Sequence, residues 1–556
     1  MKQSKVQMAL SGFLFAVLWT HSVGASPGLP EESHSNSAPK LSIDGEYKLT
    51  GALHRTGGAG NKTLLRPGEF LTNAIKLKSD YLLPEDWHWL TNVHARRTND
   101  PQIDRRHDIH LLGLTSEIYN PVFHLTVGDF YGDFSEYTLN QSLEGLQTEV
   151  KTKKWDVKGL AGWSQHAEEG KQYTRYVFGA HSEFSPKDEE GSVQDTKLGL
   201  HFVDVEDARQ SIHNKKEVKA ASNPVGSVTS HALLWGKTEL DGELAESWFD
   251  EDTRHGTFVD RRDGMAIRLN STTKFSKKAK AKLGYERVGA GFNSLSGSAV
   301  PDRVNWRGRI DYKWTKTLKS SLGYRMSYDK LNKSSLAKRT WTETPRISLE
   351  WIPLKDFWEF KEFYSMIYWE MRDRYSEDDR SGQTDFQSHE VGVEDEFKFF
   401  KWKLSSGWNL RDELDHHDKS NVRLFNTGYV GIRSTKKIHG VKVSPSFRWQ
   451  ATYEHKRKLD GRDLTHTFTS GLNLEFTKSL RLEQRYSLET ASRLAHDADS
   501  IRFTAHAALD YDLPFKAQAL KGMSVEVSYD HTNFAHVVGT ERFMENNGQA
   551  QLVKKF

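Results

Sequence analysis

Cysteine is absent from this chain of 556 residues. Without cysteine there can be no disulfide bond, no thiolate metal site, no covalent c-type haem attachment and no lipidated N-terminal cysteine. The absence is compatible with a protein that is exported and crosses the periplasm unfolded.

Long apolar runs are also scarce. Beyond the N-terminus no stretch approaches the roughly 18 apolar residues of a membrane-spanning helix, and the mean hydropathy is −0.69. Charged residues make up 28% of the chain, yet aromatic residues reach 12%, and disordered chains are poor in aromatic residues. The net charge of +3 is close to balance and gives no sign of a nucleic-acid partner.

The N-terminus has the pattern of an export signal. Lys2 and Lys5 precede an apolar run from Met8 to Trp19, and small residues end at Ala25. This pattern predicts a signal peptide at 1–25 that is cleaved after Ala25. The alternative is an uncleaved membrane anchor, for which the apolar run is short.

The stretch from Val304 to Tyr328 shows the pattern that the rest of the chain repeats. Its two arms, VNWRGRIDYKW and SSLGYRMSY, alternate apolar and polar residues around Thr315-Lys316-Thr317. This is the period of a β-strand with one apolar and one polar face. An arm of about 11 residues tilted by about 40° rises roughly 27 Å, the height of an outer-membrane apolar band. A water-soluble sandwich would show the same alternation.

The lengths of the connections separate these two folds. Strand patterns continue to the C-terminus, and we predict about 26 of them, within a range of roughly 22 to 26. Connections after even-numbered strands are mostly short, as at Lys153-Lys154 and Asp241-Gly242, whereas those after odd-numbered strands are mostly long, as at Glu206 to Ser227 and Gly291 to Asp302. Outer-membrane barrels alternate short turns and long loops in this way. A soluble sandwich has no reason to keep this alternation.

We therefore predict an all-β fold, a single transmembrane antiparallel β-barrel at 41–556. A short disordered periplasmic leader at 26–40 precedes it and is too small to be a folded plug. Both ends of the barrel lie on the short-turn side, which would be periplasmic.

The C-terminal residues resemble those of bacterial outer-membrane proteins. Leu552 and Phe556 share one face of the last strand pattern, and a terminal aromatic residue is the signal that the barrel-insertion machinery reads in that class. Lys554 departs from the pattern, because another apolar residue is usual there. The resemblance is to large Gram-negative outer-membrane barrels of the porin or conduit-porin type, and it covers essentially the whole mature chain as a pattern. It implies outer-membrane lipid and the insertion machinery as partners, and location in the bacterial cell outer membrane.

One local motif combines glycine and aspartate. Val127-Gly128-Asp129-Phe130 is followed by a loop and then by Leu143-Glu144-Gly145-Leu146, which is similar to a pattern in some poorly characterised large barrels. The simpler interpretation is a glycine-relieved bend and an ordinary hairpin. The functional alternative is that Tyr131 to Gln141 folds inward as a constriction, with the following candidate residues: Gly128, Asp129, Tyr131, Asp133 and Gly145.

The polar faces of the strands are predicted to line a lumen. Charges of both signs alternate along them, which argues against strong selectivity for anions or cations. The candidate lumen-lining residues are Arg307, Arg309, Asp311, Arg325, Arg448, Arg481, Glu483, Arg485, Arg502 and Asp510.

No catalytic motif is present, so we predict that the protein is not an enzyme and carries no cofactor. His416-His417 lies in an acidic stretch that could hold a divalent cation, but neighbouring residues in a loop have no fixed ligand geometry, and a solvated loop is favoured over a metal site. Glu394 and Glu396 are expected to face the lumen and Asp395 to face away from it.

Three functions remain open. The leading one is a wide outer-membrane channel whose lumen is filled by inward loops or by a partner, since barrels of 16–18 strands already leave an aqueous channel. Known large barrels suggest a periplasmic protein, a lipoprotein or a cytochrome as the partner, and the last would make the chain a sheath for a multihaem electron conduit. The third is a structural or adhesive surface barrel that acts through its long extracellular loops.

Overall fold

The structure is a computed structural model. It describes residues 40–58, 66–104, 108–186, 192–213, 218–255, 261–331, 339–352, 360–376, 385–416, 422–456, 461–493, 499–515, 521–536 and 542–556. Contacts divide the chain into the units Met1–Lys40 and Leu41–Phe556. The predicted signal peptide and residues 26–39 of the predicted leader lie outside the described residues.

The described residues form β-strands almost throughout. The strands are β1 Lys40–Gly58, β2 Gly68–Leu82, β3 His88–Thr98, β4 His110–Tyr119, β5 Phe123–Ser135, β6 Leu139–Lys151, β7 Trp155–Gln165, β8 Arg175–Phe184, β9 Val193–Asp207, β10 Ser222–Leu234, β11 Thr238–Asp250, β12 Arg261–Lys274, β13 Ala279–Val288, β14 Arg303–Lys313, β15 Leu318–Asp329, β16 Thr340–Trp351, β17 Phe360–Ser376, β18 Phe386–Phe399, β19 Trp402–Asp415, β20 Arg423–Ser434, β21 Lys436–Ile438, β22 Val441–Lys456, β23 Gly461–Glu475, β24 Leu480–Arg493, β25 Ser500–Asp512, β26 Met523–His536 and β27 Arg542–Lys555.

The sheet closes on itself. Each wall strand is antiparallel to its neighbours, and β1 pairs with β27 in a register that runs from Glu46 opposite Lys555 to Gly58 opposite Phe543. The short β21 pairs only with the start of β22, so that 26 of the strands make the wall. The prediction of one antiparallel barrel of about 26 strands is confirmed.

Alternation along each strand gives the wall two chemically different faces. Ile310 lies opposite Leu322 on one face, and Arg307 lies opposite Arg325 on the other. Ile310 and Leu322 are each 53% exposed although both are apolar, as expected for the lipid-facing outside of a closed sheet. Aliphatic and aromatic residues therefore cover the outside, and polar and charged residues cover the inside.

The predicted alternation of short and long connections is present, with one turn misplaced. Residues 152–154 join β6 to β7, whereas residues 289–302 join β13 to β14. The turn predicted at Asp241-Gly242 is wrong, because β10 and β11 meet at Trp235 and Gly236. These two residues have φ of 52° and 63°, the combination that a tight hairpin turn requires. Gly242 instead lies within β11, opposite Ser230.

Helical structure is minimal in the described ranges. It consists of one 3₁₀ turn, Thr253–His255, and no helix found there has the length and apolar character to cross a membrane.

Candidate functional site

The outer face carries aromatic pairs near both ends of the wall. Trp155 and Phe184 have ring centroids 4.7 Å apart at the short-turn end, and Tyr328 and Trp341 have centroids 4.4 Å apart at the long-loop end. Aromatic side chains are suited to the two interfaces of a bilayer, where an apolar ring can keep a polar edge in water. Between these ends the outer face carries aliphatic residues together with further aromatic residues such as Trp408 and Tyr529.

The inner face holds the residues that the sequence places in the lumen. Arg309 donates to Asp311 at 2.7 Å, and Arg485 donates to Glu483 at 3.0 Å. Arg307 donates to Asn270 at 2.7 Å. Register and strand parity place all ten candidates on this face; the remaining five are Arg325, Arg448, Arg481, Arg502 and Asp510.

Two of these arginines also contact aromatic rings. The Arg448 guanidinium lies 4.2 Å from the ring centroid of Tyr429. The Arg502 guanidinium lies 5.5 Å from the ring centroid of Phe534. Such contacts hold long side chains against the wall, where they stiffen the inner surface.

One hairpin leaves the wall and folds inward. β5 pairs with β4 only as far as Gly128, opposite Thr115, and β6 pairs with β7 only as far as Glu144, opposite Trp163. Beyond these points β5 and β6 pair only with each other. We call the segment of residues 129–143 the inward hairpin.

The glycine–aspartate motif explains how β5 departs. Gly128 has φ of 106°, and a Cβ there would lie 1.8 Å from the carbonyl oxygen of Leu114. The carboxylate of Asp129 accepts a hydrogen bond from the Leu114 amide at 2.7 Å. Asp129 thus satisfies a backbone donor on β4 that the departing strand leaves without a ladder partner.

Gly145 provides the corresponding exit on β6. A Cβ at Gly145 would lie 2.2 Å from the carbonyl oxygen of Ala161 and 2.4 Å from the Cα of Gly162. The two backbones therefore approach each other more closely than any side chain permits. The bend and the ordinary hairpin predicted here are both present, and the bend directs the hairpin inward.

One side of the inward hairpin is packed against the inner wall. Phe134, Leu139 and Leu143 are buried together with wall residues of three neighbouring strands, namely Leu160, Val177, Val203 and Val205. Tyr131, on the opposite side of the hairpin, is 57% exposed. The hairpin therefore has an apolar face that docks and a polar face that remains open.

The tip of the hairpin reaches β11, β12 and β13. Tyr137 has no exposed surface; its hydroxyl donates to Glu286 Oε1 at 3.0 Å and its amide donates to Glu243 Oε1 at 3.3 Å. Glu136 forms an ion pair with Arg268. Burial, together with the nearby Glu286 carboxylate, raises the pKa of Tyr137, so that the phenol remains a neutral donor.

The connection between β13 and β14, residues 289–302, meets the tip from the other side. The amide of Asn140 donates to the carbonyl of Ser296 at 2.8 Å, and the amide of Ser298 donates to the carbonyl of Glu136 at 2.9 Å. Phe292 is fully buried beside Tyr137, with ring centroids 5.7 Å apart.

Asn223 on β10 anchors this connection to the inner wall through two hydrogen bonds. Its side chain accepts from the amide of Leu295 at 2.8 Å and donates to the carbonyl of Asn293 at 3.0 Å. Sequence reasoning identified residues 291–302 as a long loop and missed both its inward course and Asn223. The signal that could have revealed it is the pair of large apolar residues, Phe292 and Leu295, in a segment otherwise rich in glycine and serine.

The long connection predicted at Glu206 to Ser227 is shorter than expected, because β9 continues to Asp207 and β10 begins at Ser222. In the described part of this connection, Ile212 packs against Tyr173 of the β7–β8 connection. It therefore packs against a neighbouring connection and not against the inward hairpin.

The wall is thus a closed sheet with an apolar outside, aromatic pairs near both ends and a charged interior. This is the architecture of a porin-like outer-membrane β-barrel. No protein-family model matches the sequence, and no curated protein does so either.

Among solved structures, this barrel is similar to Pseudomonas aeruginosa OccK5 (OpdH), with 10% identity, a TM-score of 0.28 and coverage of 92% of this chain and 98% of that chain. It is also similar to a BenF-like porin from Pseudomonas fluorescens Pf-5, with 11% identity, a TM-score of 0.33 and coverage of 64% and 98%. A third is the Pseudomonas aeruginosa outer membrane protein opdK, with 11% identity, a TM-score of 0.33 and coverage of 66% and 99%. At these values the likeness carries no information about what crosses the barrel.

The two residues of the predicted C-terminal assembly signal lie on the last strand and just after it. Leu552 is on the outer face between Leu49 and Val525, and the backbone of Phe556 exchanges hydrogen bonds of 2.7 and 3.0 Å with Gly45. The role of both in assembly stays a prediction.

The acidic loop that contains His416 is described only in part. His416 follows β19 and is exposed, whereas His417 lies outside the described residues. Within the described ranges no group of three or more His, Asp or Glu side chains could hold a metal ion.

Proposed function

We propose that this chain is a wide outer-membrane channel that its own inward hairpin narrows. The observation that carries the proposal is the closed wall of 26 strands with an apolar outside and a charged inside. Barrels of 16–18 strands already enclose water, and diameter grows with strand number, so side chains alone do not fill a wall of this size.

The position of the inward hairpin supports a partial occlusion. Its apolar face docks against β7 to β9 and its tip reaches β13, so that it lies over one sector of the inner wall. The strands from β14 to β27 keep a polar inner surface with charges of both signs. Water and small polar solutes would pass between this surface and the open face of the hairpin.

Planar-bilayer recordings test the proposal. The purified full chain should conduct ions, and a variant in which a two-residue turn replaces residues 132–140 should conduct more, because the docked part of the hairpin is gone. A matched control shortens the exposed part of the β7–β8 connection, residues 168–171, which should leave the conductance unchanged. Heat-modifiable mobility on gels verifies that each variant has closed.

Other outcomes favour the remaining functions. If the intact and shortened chains are both silent and nothing co-purifies from native membranes, the structural or adhesive surface barrel replaces the channel. If a lipoprotein or a cytochrome co-purifies in equal amount, the barrel is a sheath for that partner.

Location and processing belong to the same proposal. We expect the chain in the outer-membrane fraction and the mature N-terminus at Ser26, which membrane fractionation and N-terminal sequencing measure. An N-terminus at Met1 would contradict the predicted signal peptide.

A further inference from the structure

The inner wall has a sector in which positive charge dominates. A cavity of about 490 Å³ opens there between β12 and β17. Its charged lining is five cationic residues and one carboxylate, namely Lys282, Arg307, Arg309, Arg325, Arg346 and Glu370. In this sector, therefore, cationic residues outnumber carboxylates.

Two like-charge pairs lie directly across strands in this cavity. Lys282 is opposite Arg309, and Arg307 is opposite Arg325. Like charges in such positions lower the stability of an antiparallel pair. On the same inner face, Glu243 lies opposite Arg268, which is the favourable arrangement. A bound anion would relieve the repulsion between the like-charge pairs.

The cavity also has more cations than carboxylate partners. Arg309 pairs with Asp311 at 2.7 Å and Arg346 with Glu370 at 3.4 Å. Among the described residues, no carboxylate forms an ion pair with Lys282, Arg307 or Arg325. Three cations of the cavity therefore keep a positive charge that no carboxylate neutralises, although Arg307 also donates to Asn270.

Glycine shapes the space between these cations. Gly323 faces inward, opposite Arg309 on one side and Arg346 on the other. A Cβ built there would meet no atom closer than 3.9 Å, so the position is open. The missing side chain leaves a recess whose rim carries guanidinium groups, which bind carboxylate and phosphate oxygens in pairs.

We propose that this cavity binds a small solute with two anionic groups, carboxylate or phosphate, during its passage through the lumen. The inference rests on the proposed channel function. Neighbouring strands are roughly 4.8 Å apart and alternate residues of a strand roughly 7 Å apart, so the cations match two anionic groups joined by a short chain. The site occupies only one sector of the inner wall. That the channel as a whole selects only weakly between anions and cations stays a prediction.

Equilibrium dialysis of the purified full chain with radiolabelled succinate measures binding without any need for conductance. The double variant Arg307→Gln with Arg325→Gln should raise the half-saturating concentration by about tenfold or more, since each charged hydrogen bond contributes enough for such a change. The matched control, Arg481→Gln with Arg485→Gln, removes two lumen arginines from a distant strand and should change it less than about twofold.

Gly323→Leu distinguishes a shaped site from diffuse charge. It fills the recess and leaves every arginine in place, and it should weaken succinate binding as strongly as the arginine double variant. The proposal would be overturned if the two arginine double variants changed the half-saturating succinate concentration equally. It would also be overturned if Gly323→Leu formed a normally closed barrel and left that concentration unchanged. Inorganic phosphate in place of succinate shows whether phosphate oxygens satisfy the same site.

Bilayer currents separate this inference from the channel proposal. In a conducting wild type, succinate should reduce the current in a saturable way, and the arginine double variant should shift the half-blocking concentration in parallel with dialysis. A silent wild type that still binds succinate contradicts the channel and retains the site. A conducting wild type that does not bind succinate contradicts the site and retains the channel.

Discussion

Gly128 and Asp129 act as a unit. The glycine adopts a φ of 106° that carries β5 away from β4, and the aspartate accepts the hydrogen bond that β4 would otherwise lose. The strand thus leaves the sheet without leaving the Leu114 amide unpaired, and an unpaired backbone amide is costly within a membrane because no water can satisfy it.

Gly128→Ala should destabilise the barrel or release the inward hairpin. A Cβ would lie 1.8 Å from the Leu114 carbonyl oxygen, and the backbone angle is unfavourable for alanine, so we expect a loss of at least about 2 kcal/mol. Urea titration of the refolded barrel, followed by tryptophan fluorescence, measures it.

Gly159→Ala is the matched control on β7, two strands away. A Cβ there meets only the Thr148 hydroxyl, at 3.6 Å, and the midpoint in urea should not move. Equal shifts for Gly128→Ala and Gly159→Ala would contradict the special role of the exit glycine.

At the scale of elements, the inward hairpin is held by side-chain packing and by hydrogen bonds at its tip, two of them backbone bonds to the β13–β14 connection, and not by a ladder with a wall strand. Its two arms hydrogen-bond to each other, whereas its contacts with the wall are apolar packing and the polar contacts of its tip. Such an element can detach while the wall stays closed, because detaching breaks no ladder bond of the wall.

Tyr137→Ala should detach the hairpin. Truncating a fully buried aromatic side chain costs about 3–5 kcal/mol, and here that cost falls on docking. Tyr137→Phe should have a smaller effect of about 1 kcal/mol, because Glu286 keeps its hydrogen bond from Asn305 at 2.7 Å. Loss of amide-exchange protection within residues 129–143 measures detachment.

Tyr131→Ala is the control, because Tyr131 lies on the open face of the same hairpin. Protection should be unchanged in this variant. If it falls as far as in Tyr137→Ala, the hairpin is not held by its tip.

At the scale of the whole molecule, the two faces of the wall make opposite demands on substitutions. Ala281 and Ala505 lie on the outer face, where Ala281 is opposite Ile310, whereas Lys280 and Thr504 lie on the inner face. Ala281→Arg and Ala505→Arg should each hinder assembly, and Ala505→Arg should do so more strongly. Ala505 lies in the middle of β25, whereas Ala281 lies near the start of β13, and an outward arginine costs about 2–4 kcal/mol at the bilayer midplane and less towards the interface.

Lys280→Ala and Thr504→Arg should be tolerated, because they change only the wetted face. Heat-modifiable mobility on gels measures the folded fraction of all four variants. Equal effects on both faces would show that the assignment of inside and outside is wrong.

The wall could be predicted from sequence because its signal is local and repeated. Val304 to Tyr328 contains a complete hairpin with its two faces, and the same period recurs around the barrel. One turn was misplaced because Trp235-Gly236 and Asp241-Gly242 both end in a glycine that can adopt positive φ. Only the register across β10 and β11 decides between them.

The interior was less predictable, because its contacts join distant parts of the chain. Gly128 and Gly145 marked the exit of the hairpin, but nothing near Tyr137 in the sequence encodes Glu286 as its partner. The connection at residues 289–302 is held by Asn223, and no local pattern links the two segments.

The docked hairpin has a thermal consequence. Undocking would wet the apolar surface that Phe134, Leu139 and Leu143 now bury, and wetting apolar surface raises the heat capacity. The free energy of undocking is therefore a curved function of temperature, with a maximum at an intermediate value. The open fraction should pass through a minimum there and rise on both cooling and heating, while the hydrogen-bonded wall stays intact.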